Sequence, residues 1–283
     1  MEISPLVDPQ WLYDNLANPA IQVIENAWFS EAYHRAHITG ALKTPVHPHL
    51  KKFNVAGERT MHVMDAGDFA AFCHELGLRR DRHYVIYDDF CGLFAARFWW
   101  VCRYFGVRNI SVLDGSWRGW LDRQYSVSSR QEQPDVGSDV EITPHPAHHI
   151  DREELQRIHL DPGVQVWDTR REGEYSGDEE NENLRHGHIP GALNLVWTDL
   201  LTAPPYEGGP RFLKPRTELE QQLTTLGLRR DKTIVTYCQS GIRAAFGVFI
   251  LMLLGFPHHR LYDASMREWA NLSDTPLVTG SAH

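Results

Sequence analysis

The chain has 283 residues, 42% of them hydrophobic and 23% charged, without a low-complexity tract; this is enough for two domains of ordinary size and excludes a disordered or collagen-like chain. With 28 Lys and Arg against 37 Asp and Glu the net charge is −9, which argues against nucleic acid or an anionic membrane as a partner, so an anionic substrate would need a local basic pocket. Met1-Glu2-Ile3-Ser4-Pro5 has no basic stretch followed by an apolar one, and the longest apolar run, Ala244 to Leu254, is too short to span a bilayer, so neither a secretory signal nor a membrane anchor is expected.

In chain order, Ile21 to Ile24 is a short β-branched strand, followed by His37-Ile38-Thr39-Gly40-Ala41-Leu42. Cys73 and Cys102 lie on apolar helical stretches and are read as core. Between them come Leu76-Gly77-Leu78-Arg79-Arg80-Asp81 and the strand Tyr84 to Tyr87. A strand at Ile110 to Leu113 leads into Asp114-Gly115-Ser116-Trp117-Arg118-Gly119-Trp120. Gln124 to His149 is rich in Ser, Gln, Asp, Pro and His and is read as a linker wrapping the surface, its histidines 145, 148 and 149 solvated and not metal ligands. The pattern then repeats. A strand at Val164 to Trp167 precedes Asp168-Thr169-Arg170 and Glu174-Tyr175-Ser176-Gly177, and His188-Ile189-Pro190-Gly191-Ala192-Leu193 echoes the segment at His37. Leu226 to Asp231 repeats Leu76 to Asp81 with a change of no residue, Thr233 to Tyr237 matches the strand ending at Tyr87, and Asp263 to Trp269 matches Asp114 to Trp120. Four ordered matches some 150 residues apart mark a duplicated domain. The domains are placed at 1–124 and 146–283 with a linker at 125–145, each an α/β unit with a parallel sheet and helices on both faces. In such folds the site lies at the carboxyl ends of the strands.

That is where Cys238-Gln239-Ser240-Gly241-Ile242-Arg243 falls, between the strand Thr233 to Tyr237 and an apolar helix expected to open near Arg243 and to stop at Gly255-Phe256-Pro257. A cysteine on this turn faces free amide N–H groups and the positive end of a helix dipole, both of which favour a thiolate and a bound anion. In the first copy Asp88-Asp89-Phe90-Cys91-Gly92 takes this place, and a carboxylate cannot carry a sulfur nucleophile's chemistry. Cys91 is displaced from the nucleophile position and is read as a bystander. The four cysteines make no CxxC pair, so neither a disulfide framework nor a thiolate zinc site is expected, and a reducing cytoplasm fits. The nine tryptophans are read as packing and not as a base-stacking surface.

The HxPGA-type segments, Asp168-Thr169-Arg170, Glu174-Tyr175-Ser176-Gly177, the CxxGxR loop and the DGSW-type endings resemble the tandem-domain rhodanese sulfurtransferases over essentially the whole chain. The resemblance implies two rhodanese-like domains, the first inactive and walling the site, the second catalytic. It implies that Cys238 takes a sulfur from a small anionic donor, thiosulfate first and 3-mercaptopyruvate second, and passes it to cyanide, glutathione or a thioredoxin-type dithiol, with no cofactor or metal. The loop amides of Gln239, Ser240, Gly241, Ile242 and Arg243 would cradle the persulfide. Asp168 and Arg170 would brace the loop, and His37 would assist a loop serine in the mercaptopyruvate branch. The chain departs from the best-known members in carrying Glu174 where they carry a substrate-binding arginine, which Arg171 or Arg185 is expected to replace; Glu174→Arg is then expected to raise turnover. A phosphatase or arsenate reductase on the same device needs a CX5R loop, and this one is CX4R. A non-catalytic sulfur-carrier or regulatory module is the remaining alternative.

Overall fold

The computed structural model describes residues 3–281, whose backbone forms two compact units. Unit 1 takes the chain up to Glu58, Val63–His145 and Thr202–Leu213; unit 2 takes Arg59–His62, Pro146–Leu201 and the chain from Lys214 onward. Two short stretches thus lie with the unit of the other half of the sequence. In unit 2, Met61 packs against the core. In unit 1, Phe212 lies over Gly115 and Gly119, the Leu213 amide donates to Asp114 at 2.9 Å, and the Tyr206 hydroxyl donates to Asp122.

Unit 1 is built on a five-stranded sheet whose spatial order is Leu6–Val7, Ile110–Leu113, His83–Tyr87, Ile21–Glu25 and Leu42–Lys43, all parallel. Unit 2 has four parallel strands in the order Leu193–Asn194, Val164–Asp168, Thr233–Tyr237 and His259–Leu261. Strands covered on both faces read as continuous apolar or β-branched runs, and Tyr84 to Tyr87 and Ile234 to Tyr237 are buried without a break. The same places in the two cores are filled by matching residues: Val23 and Val166, Ile38 and Ile189, Val85 and Val235, Tyr87 and Tyr237, Trp120 and Trp269.

The stretch read as a linker is fastened along unit 1. Val127–Ser128 pairs antiparallel with His37–Ile38, and the amides of Gly137, Thr143 and His145 donate to the carbonyls of His74, Phe105 and Tyr104. Cys73 and Cys102 are buried in the helices Ala66–Leu76 and Leu93–Tyr104, where burial pushes the Cys73 thiol up to about 12 and the Cys102 thiol well above its ordinary value. Among the described residues no helix is long and apolar enough to cross a membrane.

The duplicated strand ends differ in charge. In unit 2 Asp168, beside Tyr237 in register, is held by Arg170. In unit 1 Glu25 lies beside Tyr87, accepts a hydrogen bond from its hydroxyl, and has Ala27 where unit 2 has Arg170. Burial, opposed by that hydrogen bond, pushes the Glu25 carboxyl from 4.5 up to about 7. The folded state therefore holds this proton to a higher pH than the unfolded chain, and stability falls as pH rises from about 4.5 through about 7. Glu25→Gln keeps the shape without the charge. It should flatten this decline and raise stability on the alkaline side by up to about 3 kcal/mol, read as the melting temperature of the variant and the parent across the same pH range.

Candidate active site

The strand Thr233–Tyr237 delivers Cys238 to the carboxyl edge of the sheet, and the helix Ile242–Leu253 begins only four residues later. The chain makes this reversal through Gly241, in the left-handed region at φ +81° as the residue before the helix. A side chain there would also strike Asp263, whose Oδ1 and carbonyl oxygen lie 2.3 and 2.5 Å from the position of a Cβ. The helix opens at Ile242, one residue earlier than the sequence suggests, and is buried from Ala244 to Leu251.

Cys238 is buried, and its Sγ accepts the Gly241 amide at 3.1 Å. Its own amide donates to Ser265 Oγ at 3.1 Å, and Ser265 Oγ in turn donates to the Tyr262 carbonyl. The carbonyls of Cys238 and Gln239 accept the amides of Met266 and Arg267, so the short helix Ser265–Trp269 clamps the turn from outside. Gln239 is tied by a reciprocal pair of amide bonds to Asn183, at 2.8 and 3.1 Å. Ser240 is partly exposed in the middle of the turn. Asn183 and Ser265 are the site residues that sequence reasoning did not single out. Ser265 was recoverable, because Ser116 holds the same place in the repeat; Asn183 lies in an irregular loop with no pattern to mark it.

The charges around the turn are paired. Arg243 makes a bidentate ion pair with Glu174, Nη1 to Oε2 at 2.6 Å and Nη2 to Oε1 at 2.8 Å. Burial works against the Arg243 cation, yet the hydrogen bonds and charge of Glu174 outweigh it and raise its pKa. Burial likewise raises the Glu174 carboxyl, but Arg243, with Arg171 and Arg170 behind it, holds it below the ordinary value. Arg171 also pairs with Glu179. Beneath this layer the fully buried Arg170 grips Asp168 with Nε at 3.0 Å and Nη2 at 2.6 Å and reaches the Gly187 carbonyl at 2.8 Å.

Two expectations change with this geometry. Arg185 is no substitute for a substrate-binding arginine, because its guanidinium is occupied by the carbonyls of Trp269, Ala270, Leu272 and Thr275. His37 is fully buried in unit 1, stacked on Tyr33 at 3.8 Å with Nδ1 on the Tyr33 carbonyl; His188 stacks on Tyr175 in the same way in unit 2. A contact kept in both copies is packing that came with the repeat.

Unit 1 repeats the turn with another occupant. Gly92, at φ +86°, precedes the helix Leu93–Tyr104 as Gly241 precedes its helix, but here the turn is one residue longer, with Cys91 inserted at φ +57°. Asp88 stands at the place of Cys238, and its amide donates to Ser116 as that of Cys238 does to Ser265. Its buried carboxylate accepts four amides: Phe90 and Gly92 on Oδ1, both at 2.8 Å, and Phe94 and Ala95 on Oδ2, at 2.6 and 3.0 Å. Burial, with the Asp88 charge added, pushes the Cys91 thiol up to about 11, which keeps it protonated.

Gly241→Ala should cost about 2 kcal/mol or more from the left-handed backbone and the collision with Asp263, seen as a lowered unfolding midpoint. Glu174→Arg was expected to restore an anion-binding charge; with Glu174 already bound to Arg243 it should instead set two guanidiniums together and destabilise by about 3 kcal/mol, measurable by chemical denaturation.

The comparisons agree with the repeat. The Rhodanese-like domain family matches residues 8–123 and again 151–272. The chain is 30% identical to the 3-mercaptopyruvate sulfurtransferase of Escherichia coli (strain K12), over 98% of this chain and 99% of the relative. It is 32% identical to the thiosulfate sulfurtransferase of Corynebacterium glutamicum, over 97% and 90%. Among solved structures, that of SseA from Escherichia coli, described as a 3-mercaptopyruvate enzyme, superposes with a TM-score of 0.78 at 27% identity, covering 93% of this chain and 98% of SseA. Two parallel-sheet units, two family matches and full-length relatives of both kinds lead to one conclusion: the chain belongs to the rhodanese family, as a tandem-domain sulfurtransferase of the thiosulfate/3-mercaptopyruvate type.

Proposed function

We propose that Cys238 is the nucleophile of this sulfurtransferase and carries the transferred sulfur as a persulfide. Its Sγ attacks the outer sulfur of the donor, and the bond behind that sulfur breaks with its electron pair leaving on the donor: thiosulfate departs as sulfite, and 3-mercaptopyruvate departs as the enolate of pyruvate, which takes a proton. A thiolate or cyanide acceptor then attacks the outer sulfur, the S–S bond breaks, and the Cys238 thiolate returns. No external oxidant or reductant is consumed. Splitting the transfer in two predicts ping-pong kinetics.

The observation that carries this reading is the Asp88 carboxylate of unit 1. The Gly92 amide on Asp88 Oδ1 corresponds to the Gly241 amide on Cys238 Sγ. The amides on Oδ2, from Phe94 and Ala95, stand at the second and third helical positions, which Arg243 and Ala244 hold in unit 2. A second atom on Cys238, the outer sulfur of a persulfide, would meet these donors as Oδ2 meets theirs. The first-turn amides of a helix lack intrahelical partners and suit an anion. Asp168 and Arg170 serve as a brace under the turn, and His37 has no part in this reading. Unit 1, lacking the nucleophile, is the non-catalytic copy. Acceptors of the thiol class, glutathione or a thioredoxin-type dithiol in the cytoplasm, fit attack of a thiolate on the outer sulfur of the persulfide.

Intact-protein mass spectrometry after exposure to thiosulfate or 3-mercaptopyruvate should show a gain of one sulfur, about 32 Da, that cyanide removes. Cys238→Ser should abolish that gain and the turnover while its circular dichroism stays that of the parent. Persistent sulfur transfer in the variant would reject Cys238 as the carrier.

A further inference from the structure

We propose that Glu174 sets the charge of the donor accepted at Cys238: by neutralising Arg243 it makes the turn favour a sulfur donor with one negative charge over a dianion. This rests on the reading of Cys238 as the sulfur carrier.

The basis is where the positive charge around the turn goes. Arg243 stands in the first turn of the helix that follows Cys238, and both of its terminal nitrogens are bound to Glu174. Glu174 is 4% exposed and Arg243 16%, so solvent neither screens the pair much nor frees it at little cost. Arg171 is shared between Glu174 and Glu179, and Arg170 is held by Asp168 below. Arg267, whose amide holds the Gln239 carbonyl, pairs through its side chain with Glu182 in an exposed bridge that water screens. Each of these four guanidiniums is matched by a carboxylate. The backbone N–H groups at the first turn of the helix, which amount to about half a unit charge, then hold donor charge in place of these arginines. That suits the single charge built up on the outer sulfur in the transfer. The second charge of thiosulfate gains nothing from an arginine already bound to Glu174. A donor such as 3-mercaptopyruvate, with one carboxylate, avoids this penalty, which turns the sequence expectation of thiosulfate first toward the monoanionic class.

The test compares thiosulfate with methanethiosulfonate, which presents the same sulfur on a sulfonyl group with one charge fewer, using the full-length chain and one acceptor. Donors differ in intrinsic reactivity, so the informative quantity is the ratio of their kcat/KM values, compared between proteins. In Glu174→Gln the uncompensated Arg243 should raise the thiosulfate-to-methanethiosulfonate ratio about tenfold or more at low salt, and added salt should erode that gain. The double variant Glu174→Gln/Arg243→Gln removes both charges and should return the ratio to near that of the parent. An unchanged ratio in Glu174→Gln overturns the proposal. Should that variant not fold, the parent decides alone: kcat/KM for thiosulfate that is insensitive to ionic strength agrees with a neutral turn, and a steep loss with salt overturns it. Failure of the Cys238 reading looks different, since neither donor would then add 32 Da to the parent protein.

Discussion

The feature on which the rest of the site depends is the convergence of amide N–H groups at the start of the helix Ile242–Leu253. A parallel strand running into a helix across only four residues points the first-turn donors back at the residue that follows the strand. That turn is possible only with Gly241 at a positive φ and pressed against Asp263, where any side chain would collide. Ser265 and the helix it opens hold the turn from the other side. None of these groups is chemically reactive. Together they give one buried point at which negative charge is favoured, and whatever side chain ends the strand inherits it.

The two units show this inheritance directly. Unit 1 keeps the strand, the left-handed glycine, the buttressing serine and the twelve-residue helix, and supplies the anion from its own chain as Asp88. Unit 2 places a sulfur there. The carboxylate engages four amides with both of its oxygens. The sulfur engages one, that of Gly241. The change of Cys for Asp, with one residue inserted at Cys91, thus separates a structural turn from a candidate catalytic one on the same strand–turn–helix frame.

Charge pairing is the second constraint. Unit 2 buries Asp168 with Arg170 and Glu174 with Arg243, two stacked ion pairs that are costly to break from either side. Unit 1 has lost the arginine of the lower pair, and Glu25 responds by holding its proton to about pH 7. The difference is one of surroundings: the acids beside the Cys238 turn are held in ion pairs, whereas the acid beside the Asp88 turn is held by the Tyr87 hydroxyl.

Much of this was legible without coordinates. The β-branched runs, their alternation with helical stretches and the repeat near 150 residues determined two parallel-sheet units, because parallel strands are buried on both faces and duplicated cores keep their patterns. The spacing of Cys238, Gly241 and Arg243 determined a cysteine on a turn before a helix, because local geometry depends on neighbours in sequence. What lies far apart in sequence was decided only by the tertiary structure. Arg243 and Glu174 are 69 residues apart, and Gln239 and Asn183 are 56 apart; no periodicity links them, so Glu174 read as a missing arginine when it is the partner of one. Arg185 and His37 looked available for chemistry because sequence does not say which carbonyl or ring a polar side chain will meet. Composition and spacing therefore set the scaffold and the position of Cys238, and the fold alone decided how the charges around it are paired.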